Sequence, residues 1–288
     1  MRTALPTWIT AAVIGAAFLA FLLTETLRPL RRARESKLRR VGRNLAAAGL
    51  SAAAVELLRI PILLPVSSWV MEQRIGLLHW LPVTGFLRIA VAVVLLDYTL
   101  WFWHWANHRV GVLWRFHSVH HVDRDMDAST GLRFHFGELG LSVLYRALQI
   151  VAIGADPLAV TVWQSLLFVS ILFHHSNTRL PLALEGILVR VVVTPRMHGI
   201  HHSDYRNETN TNWSSLLSAW DYLHGTILLN VPQDAVTIGV PAFDDPRKVT
   251  LGKILALPFL PRSDDWARPD GRPPDRPHAD ERRPTLVA

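Results

Sequence analysis

Eight histidines fall into three sets whose spacing suits metal chemistry: His104 and His108, then His117, His120 and His121, then His198, His201 and His202. The first set is spaced i, i+4 and the other two i, i+3, i+4, so on helices each set projects its imidazoles from one face. With 14 His in 288 residues, one such triplet arises by chance roughly 0.03 times in a chain of this length. Two of them point to a metal site. Imidazole suits Fe, Zn, Cu and Ni, and one ion takes about four to six ligands. The eight, joined by His174 or His175, are too many for one ion and fit two. Each triplet can hand its adjacent histidines to different ions while its first histidine turns to one of them. Ligation needs neutral rings, so binding weakens as pH falls.

The chain has no Cys, which excludes disulfides, thiolate metal sites, Fe–S clusters and a Cys nucleophile. Among the remaining polar residues, His135 lies in Arg133-Phe134-His135-Phe136-Gly137-Glu138 and reads either as a ligand or as a substrate-facing group beside the metals. Asp97 precedes His104 by seven residues, two turns up one helix face, where an unpaired carboxylate is expensive. An orienting hydrogen bond to a ligand imidazole is the favoured role, with a structural link to another helix as the alternative. Asn177, Asn210, Asn212 and Asp221 are further candidates for such support. His79, His224 and His278 read as structural.

The elements that must position these side chains are membrane helices. Half of the residues are hydrophobic and only 18% are charged, with a mean hydropathy of +0.22. Residues 7–27 form an apolar run long enough to cross a bilayer. It lacks a small-residue cleavage site and reads as an anchor. Arg28, Arg31, Arg32, Arg34, Lys37, Arg39, Arg40 and Arg43 follow at once, which places this loop in the cytoplasm and the N-terminus outside. A second run, 44–66, returns the chain outward, with Glu56 and Arg59 spaced to pair on one helix face inside the bundle. After an interfacial stretch near Trp80 and Pro82, residues 87–105 cross back and deliver His104 and His108 to the cytoplasmic end.

Residues 139–153 and 157–175, split by Gly154, Asp156 and Pro157, read as a helical hairpin that dips in from the cytoplasm and brings His174 and His175 back to it. Beyond 179 the chain is more polar, apart from a short apolar helix at 182–193. The expected fold is all-α, a multi-spanning membrane helical bundle with a cytoplasmic His-rich helical cap. Residues 1–84 would hold the N-terminal spans and basic loop, 85–230 the catalytic domain, 231–261 an extension, and 262–288 a disordered tail. The net charge of +7 is concentrated after the first span and in the tail, which fits a membrane surface and argues against a nucleic-acid partner. No repeat of 20–50 residues is present.

Taken together, the three histidine sets resemble the fatty acid hydroxylase/sterol desaturase superfamily over residues 85–230. Several further segments resemble it in the same order: Leu132-Arg133-Phe134-His135, Phe173-His174-His175-Ser176-Asn177, Thr194-Pro195-Arg196-Met197-His198 and Trp220-Asp221-Tyr222-Leu223-His224-Gly225-Thr226. The family's usual His-Pro is His135-Phe136 here, its common Phe before the final Gly-Thr is His224, and a frequent Tyr-Gly after Asn212 is Trp213-Ser214. The resemblance implies a non-haem centre of two iron ions held by His, with zinc a possible occupant on isolation. It further implies O2 as co-substrate and hydroxylation or desaturation of an unactivated lipid C–H bond.

No haem-attachment motif or GxGxxG turn is present, so electrons would come from a separate ferredoxin or cytochrome. The lipid would enter from the bilayer, and a bacterial inner membrane with the metals facing the cytoplasm is the expected location. Two other classes compete. A His-lined metal transporter would place its ligands along the membrane midplane, whereas these cluster at helix ends. A zinc-dependent lipid hydrolase needs an open site with a general base, and no HExxH is present.

Overall fold

A computed structural model of the chain describes residues 7–261 and 264–274, and among these it is helical, with three isolated β-bridges and no strand. The helices are α1 Thr7–Leu27, α2 Lys37–Leu58, α3 Leu64–Gln73, α4 Gly85–Arg109, α5 Gly111–His121, α6 Phe136–Ile153 and α7 Pro157–His175. The short helices α8 Leu182–Leu188, α9 Pro195–His201, α10 Arg206–Thr209, α11 Ala219–His224 and α12 Leu251–Ala256 follow. Five segments are long and apolar enough to cross a membrane: α1, the stretch Lys37–His79, α4, α6 and α7. The protein is an integral membrane protein.

Local sequence explains where these helices start and bend. Asp156 accepts a hydrogen bond from the Ala159 amide at 2.9 Å and Pro157 opens α7, the expected start signal. Thr194 and Pro195 do the same for α9. Between α2 and α3 the helix continues as a π-turn, Arg59–Leu63. Pro61 sits in that turn and cannot donate to the helical ladder, so the wider winding absorbs the missing bond. The second membrane segment is therefore one long interrupted helix, longer than the run expected from hydropathy. Glu56 and Arg59 do pair, at 2.7 Å, but on an exposed face and not inside the bundle.

In the bundle, α2 packs on α6, and α7 lies against α1, α4 and α9. The α4–α7 seam buries Ala92, Leu96, Ala159, Trp163 and Leu167. Lipid is as apolar as these side chains, so close approach at Ala92 and Ala159 is the main source of adhesion there. The outward faces stay apolar, as at Leu19, Leu23 and Leu57. Gly154 ends α6 at φ 74, and a Cβ on it would lie 2.6 Å from the Ile75 carbonyl, so the hairpin turn and the end of α3 meet backbone to backbone.

The arginine loop and the histidine helices share one side of the bundle. Asp125 accepts from the Arg34 amide at 2.9 Å and the Glu35 amide at 2.8 Å. Arg40 pairs with Asp127, and Arg43 lies 3.2 Å from Asp123. The loop from Val122 to Ser129, directly after the first triplet, is thereby clamped onto α2. Burial alone would push the Asp123 carboxyl up, but Arg133, Arg40 and Arg43 hold it below its usual value. Of the segment 262–288 expected to be disordered, residues 264–274 are described. Trp266 stacks on Trp114 at 5.5 Å and Asp265 accepts from the Trp114 indole at 2.8 Å, an aromatic and a polar contact that a compositional reading overlooks. The remainder, including His278, lies outside the described residues.

Candidate metal centre

The turn at Val110 joins α4 to α5, so the end of one histidine helix meets the next, and α9 closes against both. Two groups of imidazoles result: His104, His108, His117, His121 and His201, and His120, His175, His198 and His202. In each group one ring nitrogen per residue lies within 4.8 Å of all the others. That is close to the width of one ion's ligand shell, about 4.2 Å for ligands at about 2.1 Å. The adjacent residues His120 and His121 fall in different groups, as do His201 and His202, because neighbours on a helix point about 100° apart. His117 joins the five and His198 joins the four.

Hydrogen bonds fix which nitrogen faces inward in five of the nine rings. His104 Nδ1 donates to the Trp213 carbonyl at 2.7 Å, and His201 Nδ1 to that of Thr211 at 2.8 Å. His117 Nδ1 donates to the Glu138 carboxylate at 2.8 Å. In the group of four, His120 Nδ1 donates to the Arg133 carbonyl at 3.2 Å and His175 Nδ1 to that of Ile171 at 2.8 Å. A carbonyl only accepts, so both of these rings carry their proton on Nδ1 and present a bare lone pair at Nε2. Yet those two Nε2 atoms are 2.9 Å apart. Two lone pairs at that distance repel unless a cation lies between them. In the group of five, the Nε2 atoms of His108, His117, His121 and His201 are buried without a hydrogen-bond partner. Orphaned acceptors of this kind fit a pair of metal ions.

Burial also keeps the rings in the form that binds metal. It pushes His201 down to about 3. Burial and neighbouring histidines hold His120, His121, His198 and His202 well below the usual value. These rings are neutral at pH 7 and need lose no proton to ligate.

Of the ten histidines proposed from the sequence as ligands, nine fall in the two groups. His174 stands in neither, although its ring packs 4.1 Å from that of His198. His135 is not among the grouped rings: its Nδ1 accepts from the Gly137 amide at 2.9 Å as the cap of α6, and its Nε2 donates to the Leu255 carbonyl at 3.1 Å. Asp97 does not reach an imidazole. Its carboxylate accepts from the Leu217 amide at 3.0 Å and the Trp220 indole at 2.6 Å. Two turns separate it from His104 by about 10 Å along the axis, so the alternative role, a link to another segment, is the one the structure gives it. Asn177 bonds the Arg31 backbone twice, at 2.9 Å each way. Asn210 bonds only locally, to the Arg206 carbonyl. Asn212 donates to the Met197 carbonyl at 3.0 Å and so braces α9. His224 stacks on Trp101 at 4.0 Å.

Asp221 lies one contact away from a grouped histidine. It accepts from the Trp213 amide at 3.0 Å and the Ser214 amide at 2.9 Å, fixing the segment whose carbonyl holds His104. Glu138 was missed. The available signal was a carboxylate in the first turn of an apolar helix, where it needs a partner, and that partner is His117.

The histidine groups open onto a cavity of ≈ 190 Å³ between the spans. Its mouth at the site is formed by His104, His117, His120 and Glu138, and its walls by apolar side chains including Leu100, Leu139, Val143, Leu167 and Phe168.

Comparison with known proteins agrees with this geometry. The family model for fatty acid hydroxylases matches residues 89–226. These residues are a fatty acid hydroxylase domain. The chain is 34% identical over 177 residues to an ornithine lipid hydroxylase of Rhizobium tropici, covering 60% of this chain and 50% of that protein. It is 26% identical over 130 residues to the human alkylglycerol monooxygenase (45% and 28% covered) and 23% identical over 167 residues to the mouse cholesterol 25-hydroxylase (53% and 55%). The chain thus spans about half or less of the length of these curated relatives. No solved structure matches it. The hydroxylase domain contains all nine grouped histidines, Glu138 and Asp221.

Proposed function

We propose that this chain is an integral-membrane oxygenase that holds two iron ions in its histidine groups and hydroxylates a C–H bond of a lipid. The observation that carries this reading is the junction of two buried imidazole groups with an apolar cavity between membrane helices. The names of the relatives, all lipid hydroxylases or monooxygenases, support the reaction class. The ions would supply activation of O2, with two electrons and two protons consumed as R–H and O2 become R–OH and water. The chain's own part is positional. His104, His117 and His120 border the cavity, so a lipid lying in it brings its chain against the metal groups. Leu139, Val143, Leu167 and Phe168 exclude water along the way. Glu138 accepts the His117 proton and raises the electron density at Nε2.

The electron donor is proposed to be a separate ferredoxin or cytochrome, because the chain has no Cys for a cluster. Exposed Arg28, Arg32, Arg34 and Arg39 leave a basic face beside the hydroxylase domain that suits an acidic donor. The same arginines support a cytoplasmic metal site in a bacterial inner membrane, since loops of this charge stay on the cytoplasmic side. A transporter reading is disfavoured by the site's place at the ends of α4 and α7 instead of along a path through the bundle.

The test is iron content per chain of detergent-purified protein, with a His201→Ala/His202→Ala variant alongside, followed by O2-dependent product formation from lipid with a reduced ferredoxin. About two iron ions per chain, lost in the variant, and a hydroxylated product are expected. A wild-type protein that retains no metal when prepared from fresh membranes overturns the reading.

A further inference from the structure

The far end of the cavity carries a charge that the chemistry above does not use. Arg146 and Gln164 line it together with the apolar wall residues. Arg146 lies eight residues beyond Glu138 on α6, about 12 Å deeper into the span. Gln164 lies eleven residues before His175 on the oppositely directed α7, about 16 Å from the site end. The two polar side chains therefore line the cavity at similar depth, well away from both ends of their helices and from the metal groups.

Among the described residues Arg146 has no carboxylate partner and no hydrogen bond. Its Nε is closed off from solvent with no acceptor. Its guanidinium carbon sits 4.3 Å above the ring of Trp163, which is 0% exposed, so the head group turns inward between α6 and α7 and does not reach for a surface. The Trp163 indole nitrogen is likewise buried without a partner. A guanidinium inside a bilayer is costly, and one that neither pairs nor snorkels marks a binding role by default. The aromatic ring offsets part of that cost but supplies no counter-charge. Of the buried arginines among the described residues, Arg40 pairs with Asp127 and Arg133 with Asp123, and Arg124 donates to the Val240 carbonyl at 3.5 Å.

We infer that Arg146 is the anchor for the carboxylate of an acid-bearing long-chain lipid, with Gln164 as a second donor and the alkyl chain running along the slot to the metal groups. A planar guanidinium presents two parallel N–H donors to a carboxylate, so the ligand would gain both charge pairing and orientation. With the acid held at one end and the metals at the other, the distance between them selects which carbon of the chain is presented. This inference rests on the oxygenase reading for its chemical purpose but not for its binding step.

The experiment is equilibrium binding of radiolabelled palmitate to full-length protein in nanodiscs, with hexadecanol, methyl palmitate and a lysophosphatidic acid as competitors. Wild type, Arg146→Gln, Arg146→Lys and His201→Ala are compared, and iron per chain is measured on each. Saturable palmitate binding is expected, with hexadecanol and methyl palmitate at least about tenfold weaker as competitors. That preference should vanish in Arg146→Gln, survive in part in Arg146→Lys, and persist in His201→Ala. Iron retained by Arg146→Gln shows that the variant folds.

Equal competition by acid and alcohol, or acid preference unchanged in Arg146→Gln, overturns the inference while leaving the oxygenase reading intact. Lysophosphatidic acid displacing palmitate better than unlabelled palmitate does would assign the anchor to a phosphate and overturn the carboxylate. Arg146-dependent acid binding in a chain that never holds iron would uphold the inference and sink the oxygenase reading.

Discussion

The two histidine groups share α5 and α9 but are braced by different means. The group of five draws on α4, α5 and α9, and one of its rings, His117, leans on a carboxylate, Glu138. The group of four draws on α5, α7 and α9, and its anchored rings, His120 and His175, lean on backbone carbonyls alone. A carbonyl fixes a ring's tautomer and direction, whereas a carboxylate also adds negative charge behind the ligand. The first group is therefore tuned by a side chain that mutation can reach, and the second by backbone that it cannot. α5 serves both groups, since its last two residues, His120 and His121, enter one each.

The largest effect should come from breaking one group at a time. His121→Ala and His198→Ala should each lower the metal content from about two ions to about one, with product formation falling below detection in both. A variant that kept full metal content would show that the affected group is not a ligand set. A smaller effect is expected for Glu138→Gln, which keeps the hydrogen bond to His117 but removes the charge. Metal affinity of the group of five should fall roughly 10- to 100-fold, read by chelator competition, while the group of four holds its ion. Equal loss from both groups would erase the distinction drawn here. The smallest effect belongs to His135→Ala, which removes the cap of α6 and costs about 1 kcal/mol of stability. Its melting temperature should drop slightly with iron content unchanged, and loss of iron would return His135 to the ligand set.

Much of this was legible in the chain before any fold was known. The apolar runs marked the spans because a bilayer demands a minimum length of uncharged helix, and the i, i+3, i+4 triplets marked the candidate ligands because helix periodicity alone puts those rings on one face. Asp97 was misplaced for the same reason that it stood out: sequence gives its face on α4 but not its axial reach. Glu138 and Arg146 are single charges in an apolar helix, and nothing local reveals whether such a residue meets a histidine, an aromatic ring or lipid.

By itself, then, the sequence determined which residues can ligate, how many ions they suit and which helices cross the membrane, all consequences of local periodicity and composition. Only the tertiary structure decided how ten histidines divide into five, four and one left over, which nitrogen turns inward in the five anchored rings, and where the unpaired arginine points. Those depend on contacts between segments far apart in the chain, such as Trp213 against His104 and Asp127 against Arg40, 109 and 87 residues apart. No single helix carries the information that its partners supply.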